Sequence, residues 1–200
     1  IDVAIDGDRI LVDPDTYVEN INFFGKEIEV IGDPDNPENV VIDGSSENNS
    51  VVTFNQDETA ATVLEGFTIQ NGSGQYSALI DEHAGGGIFV FHASPTLRNL
   101  IVTNNSVDGH RAYSWGGGIA LFFHSNSILE NVEICNNVAG VGGGLNVYNR
   151  CEPRLRNVTI HDNQALIQEN QWGSSGAGGG LYCAGTPTFE RCVVFENTAE

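Results

Sequence analysis

"GGGLNVYNRCEPRLRNVTIHDN" runs from Gly142 to Asn163, and its outline decides the fold. Three glycines lead into a short apolar strand. A polar corner follows, then Leu155, a second corner at Asn157, the apolar pair Val158 and Ile160, and a closing Asn163. The outline returns around Gly85–Gly87, Gly116–Gly118 and Gly178–Gly180. A chain that writes one such unit repeatedly stacks its copies, because each copy alone has too little apolar surface to bury and neighbours share a continuous core.

The second half of the unit aligns over five segments without a gap: 64–72, 97–105, 129–137, 155–163 and 189–197. Their last two apolar residues, such as Leu100 and Val102 or Val132 and Ile134, stand two apart, the strand period, so they share the inward face. Leu97 and Leu100 stand three apart, which breaks the alternation and requires a bend between them. Gly66, Asn99, Asn131 and Asn157 occupy that bend, and these residue types enter the left-handed backbone region most cheaply. Stacked asparagines also pass amide hydrogen bonds from copy to copy. The residue before the bend reads Glu65, Arg98, Glu130, Arg156, Glu190. With rungs about 4.8 Å apart, each charge meets its opposite above and below. This predicts parallel, in-register stacking and a structural role for those charges, each exposed pair contributing tenths of a kcal/mol.

After each glycine triplet, Ile88 and Val90, Ile119 and Leu121, Leu145 and Val147, and Leu181 and Cys183 are expected to face inward. Phe91, Phe122 and Tyr148 form the next column, read either as wall packing or as an exposed aromatic strip for a partner. Residues 1–60 carry short strands separated by Asp-Pro, Asn-Pro and Asp-Gly turns and read as irregular N-terminal coils. Regular rungs fill residues 61–200, and the 200 residues form one expected domain. Calcium is a candidate ligand of Asp13, Asp15, Asp33 and Asp35, although turn formation explains these residues equally well. No other cofactor is expected.

Composition narrows the functions. An apolar content of 40% places the chain among folded proteins, and no apolar run reaches the length of a membrane-spanning helix. Eight basic against 27 acidic residues leave a net charge of −19, which repels nucleic acids and anionic lipids. Polyanionic sugars would need a bridging cation. Cys135, Cys151, Cys183 and Cys192 lack C-x-x-C spacing, so no zinc or redox motif is expected from them. Cys183 and Cys192 fall in apolar columns and are expected to be buried as small hydrophobes, with disulfides open if the protein is exported.

"DGDRILVDPDTYVENI" at 6–21, followed by "IDG" at 42–44 and the Asn-cornered rungs, resembles the pectate-lyase-like superfamily across nearly the whole chain. The paired Gly-Gly-Gly-Ile/Leu and Ile/Val-x-x-Asn signatures resemble the GGAI and FxxN repeats of polymorphic outer-membrane adhesins, with glycine in place of alanine and Ile or Val in place of Phe. The resemblance implies an all-β, right-handed, single-stranded parallel β-helix, a solenoid. With the start at Ile1, it also implies an extracellular or cell-surface location and a chain that is part of a longer protein.

Variation gathers at one place in the repeat. Insertions lie at 73–84, 106–115, 138–141 and 164–177, and in a solenoid such insertions project from one edge, often the binding edge. The short third insertion between two long ones leaves an expected notch roughly 10 Å across. Trp115 and Trp172 are expected to wall it, with Tyr76, Asp81, His83, Asp108, His110, Arg111 and Tyr113 nearby. Aromatic faces with a few polar groups suit a weakly charged glycan.

Three functions follow. The first is a noncatalytic module that binds a glycan or a surface protein through this edge. The second is a self-assembling surface protein joined through uncapped coil ends. The third is a polysaccharide lyase or glycoside hydrolase using Asp81 and Asp108, which one rung of separation brings to the spacing of paired glycosidase carboxylates. For a lyase, the resemblance implies a basic residue beside an acidic calcium cluster, and only Arg111 lies near the edge.

Overall fold

The computed structural model describes residues 1–107, 114–166 and 176–200. Within them the chain is almost entirely strand, with two short 3-10 turns at Pro37–Asn39 and Gly44–Ser46. The main sheet stacks Arg9–Leu11, Glu29–Ile31, Val63–Gln70, Thr96–Thr103, Ile128–Cys135, Arg154–His161 and Thr188–Glu190 in that order. Every pairing in it is parallel, in the register the charge alternation predicts: Glu65 beside Arg98, Arg98 beside Glu130, Glu130 beside Arg156 and Arg156 beside Glu190. Arg98 reaches Glu65 at 2.8 Å and Arg156 reaches Glu130 at 3.2 Å.

The bend inside each long strand is left-handed as expected, with φ of +78° at Gly66, +52° at Asn99, +54° at Asn131 and +52° at Asn157. The side-chain amides join into a ladder: Asn157 donates to Asn131 at 2.9 Å, Asn131 to Asn99 at 3.0 Å, and Asn99 to Glu65 at 2.8 Å. A second parallel sheet carries Ile21–Asn22, Val52–Phe54, Ile88–Phe91, Ile119–Phe122, Leu145–Tyr148 and Leu181–Cys183. A third stacks Val138–Ala139, Gln164–Ala165 and Thr198–Ala199. One turn of chain therefore crosses three faces and climbs one strand spacing, the geometry of a parallel β-helix. The single antiparallel pair among the described residues joins Gln75–Ser77 to Glu82–Ala84, inside the first insertion.

The interior is a stack of aliphatic columns. Leu64, Leu97, Leu129 and Leu155 form one; Ile69, Val102, Ile134 and Ile160 another; Ile88, Ile119 and Leu145 a third, all essentially inaccessible to water. Cys135 and Cys151 are buried, and all four thiols are free. The expectation of burial fails for Cys183, which is exposed, and only partly holds for Cys192. Both lie on the last described coil, whose interior face carries no further coil within residues 1–200, so the column position alone does not remove them from water.

The glycine triplets have two physical explanations. The first glycine of each, Gly85, Gly116, Gly142 and Gly178, has φ between +61° and +67°. At the second and third, a Cβ would have no room against backbone carbonyl oxygens, or at Gly180 against the Asn197 side chain. At the closing position of the long strands, Asn105, Asn137 and Asn163 are buried and bonded into a second amide ladder that continues to Asn197.

Asp43 ties the irregular coils to the regular ones. Its burial alone would raise its pKa, but hydrogen bonds from Ser45, Gln70 and Asn71 outweigh that and hold the carboxyl down at about 2. A folded value below the ordinary 3.8 stabilises the native state fully above that pH, and the contribution is lost as pH falls through about 2. Partial exposure limits it to about 1–2 kcal/mol. Urea midpoints measured across this pH window are expected to fall more steeply for the parent than for Asp43→Asn; parallel profiles would contradict this.

Candidate functional site

The insertions emerge on one edge, between the third sheet and the second. There Ala84, Trp115, Val141 and Ala177 pair in parallel from coil to coil. The first insertion is the hairpin of Gln75–Ser77 and Glu82–Ala84, and Ser114–Trp115 adds to its second strand. In the hairpin Tyr76 stands opposite His83 with ring centroids 5.5 Å apart, and its hydroxyl donates to Asp81 Oδ1 at 2.6 Å. Asp81 is exposed, with φ of +54°, so a short polar residue suits the turn. His83 Nδ1 lies 3.3 Å from the Gly74 carbonyl oxygen. Tyr76 is half-exposed, and Leu79 at the tip is 74% exposed.

The third insertion adds no protrusion: Val138–Ala139 is strand, and Val141 pairs with Trp115 on one side and Ala177 on the other. The Ser114 hydroxyl accepts the Gly140 amide at 2.7 Å and holds this run flat. Phe122, Tyr148 and Tyr182 point outward from the second sheet by strand alternation and form an aromatic floor. Trp115, from the preceding coil, packs against it at an angle: its ring centroid is 5.4 Å from Tyr148 at an interplanar angle of 41°, and it meets Tyr182 and Phe122 edge-on, at 5.8 Å and 69° and at 6.3 Å and 81°. Such edge-to-face contacts bury apolar area while leaving the indole partly exposed.

That floor continues into an apolar cluster outside the coil, made of Ala84, Phe89, Phe91, Ala120 and Phe122 with Ile80, Phe123 and Tyr148 packed against it. Phe91 and Phe122 are only 8% and 1% exposed, so the column is wall packing over most of its length and not an exposed strip. Tyr148 keeps partial exposure at its end. Asn146, paired with Ala120 and Tyr182 on the outward face of the same sheet, is fully buried, and among the described residues neither its amide nitrogen nor its amide oxygen has a hydrogen-bond partner. An unsatisfied buried amide is costly, about 1–3 kcal/mol.

The structure thus brings Tyr76, Asp81 and His83 together on the hairpin and joins Trp115 to the same edge through pairing with Ala84. Asp108, His110, Arg111, Tyr113 and Trp172 lie outside the described residues, and with Asp108 goes the proposed carboxylate pair. Tyr148 enters the sequence reading only as part of the aromatic column, and Tyr182 and Asn146 do not enter it as site residues. The outward phase of the strand alternation after each glycine triplet was the signal that could have found them. Among the described residues, no helix is long and apolar enough to cross a membrane.

Comparison with protein families matches residues 38–200 to the one described as the right handed beta helix region. No curated protein and no solved structure matches the chain.

Proposed function

From the premise that this chain belongs to the right-handed β-helix family, we propose that it is a noncatalytic module, displayed outside the cell or on its surface, that binds glycans through the insertion edge. The observation that carries this reading is the cluster of three partly exposed aromatic side chains, Trp115 against Tyr148 and Tyr182, beside a coil whose insertion is a flat strand. Flat aromatic faces supply area to the apolar face of a sugar ring, and nearby amides and hydroxyls fix its orientation. The exposed Tyr76 and Asp81 pair of the hairpin furnishes such groups. The acidic surface favours neutral or weakly charged sugars over polyanionic ones.

A glycan array followed by titration under tryptophan fluorescence tests this. Trp115→Ala is expected to weaken binding at least ten-fold, as loss of a central aromatic anchor does. Tyr182→Ala, on a partly exposed side chain, is expected to weaken it less while leaving the fold intact. A blank array, or affinity unchanged in both variants, would overturn the reading.

A further inference from the structure

On the outer face of the main sheet, away from the insertion edge, Glu133 and Cys135 stand two residues apart on the strand Ile128–Cys135, so both project from the same side. His161 lies directly beside Cys135 in the register of the next strand. The three ligand atoms, a carboxylate oxygen, a thiol sulfur and an imidazole nitrogen, all fall within 4.8 Å of one another. We propose that Glu133, Cys135 and His161 form a binding site for a divalent transition ion of the zinc class.

Four observations carry the assignment. The His161 Nε2 and Glu133 Oε1 atoms are 3.0 Å apart, close to the separation of about 3.3 Å that two ligands hold around one tetrahedral ion with bonds near 2.0–2.1 Å. His161 Nδ1 lies 2.7 Å from Asp162 Oδ2, so a proton on Nδ1 is held by that carboxylate and Nε2 is left to coordinate. This is the usual carboxylate support behind a metal-bound histidine. The ring is held from rotating by Phe195, which stacks on it at 5.0 Å with an interplanar angle of 11°. Cys135 is 6% exposed, and its sulfur lies 3.4 Å from the hydroxyl of Thr103, its register partner on the preceding strand, which keeps the thiol on the same outward face as Glu133 and His161.

Sulfur, nitrogen and oxygen donors together select a borderline-soft ion. Calcium and magnesium prefer oxygen alone. With three protein ligands the fourth position opens to solvent on the side of exposed Glu133, where water or a donor from a partner completes the tetrahedron. Binding displaces the thiol proton of Cys135 to solvent, and the resulting thiolate and the Glu133 carboxylate together offset the charge of the ion. The competing arrangement is a protonated His161 shared between Glu133 and Asp162, which needs no ion and makes no use of Cys135.

Cobalt(II) titrated into the reduced full chain separates the two. Because Cys183 is exposed, the titration uses a Cys183→Ala background. One equivalent of cobalt is expected to give thiolate-to-cobalt charge-transfer absorption and the intense visible bands of tetrahedral coordination, both removed by zinc. Cys135→Ser should abolish the charge-transfer band, His161→Gln should weaken binding at least ten-fold, and Cys151→Ser should change neither. Zinc should raise the thermal midpoint of the parent and not of His161→Gln, a partly exposed substitution that keeps the fold readable if Cys135→Ser does not. No charge-transfer band at one equivalent, or a band that survives Cys135→Ser, would overturn the site.

Discussion

Gly117→Ala is expected to lower the thermal midpoint by roughly 10 °C, a loss of about 3–5 kcal/mol. A methyl group there would stand 2.5 Å from the carbonyl oxygens of both Gly143 and Val138. Neither oxygen can retreat freely. The Gly143 oxygen accepts from the Gly118 amide at 3.1 Å, and the Val138 oxygen accepts from the Val107 amide at 2.9 Å. Making room means lifting one coil off the next, which breaks hydrogen bonds on both sides and opens the aliphatic columns beneath. Differential scanning calorimetry checks the result. A change below about 1 kcal/mol would mean that the coils yield at this point without losing their stacking.

The second large effect belongs to Asn137, which is buried between two coils. Its Oδ1 accepts from the backbone amide and the side-chain amide of Asn105, both at 3.0 Å. Its Nδ2 donates to the Val102 carbonyl at 2.9 Å and to Asn163 Oδ1 at 3.0 Å. Asn137→Ala takes the acceptor from the buried Asn105 backbone amide, at about 1–3 kcal/mol, and removes the side-chain bonds to Asn105, Val102 and Asn163, so a loss of about 4 kcal/mol is expected in urea unfolding. Aspartate should not rescue it, because a carboxylate cannot donate to Val102 or Asn163. The corner ladder serves as the comparison: Asn131 is exposed, and Asn131→Gly keeps the left-handed backbone while removing the amide. That variant is expected to lose less than about 1 kcal/mol. Equal losses at the two positions would contradict the account.

These two positions also mark how far the sequence could be read. The corner asparagines were legible because three-residue spacing between inward leucines demands a bend and asparagine tolerates it. The closing asparagines were visible as a repeat, but nothing in one strand says whether its last polar residue faces water or the next coil. For the same reason Trp115 could be placed on the insertion edge but not oriented. Whether an indole stands up or lies down depends on Phe122, Tyr148 and Tyr182, which arrive from other coils. The cysteine columns failed in the opposite sense: the phase was read as inward, yet Cys183, on the last coil of residues 1–200, is exposed.

By itself, then, the sequence determined the coil. Apolar spacing, glycine triplets, Asn corners and alternating charges are local signals with one parallel register that satisfies all of them. Tertiary structure decided what that register brings together. Glu133, Cys135 and His161 have no diagnostic spacing along the chain, and Trp115 meets Tyr148 and Tyr182 only across coils. The physical reason is that lateral neighbours in a solenoid are set by coil length and loop size. Those can vary from turn to turn while the inward faces of the coils stay aligned.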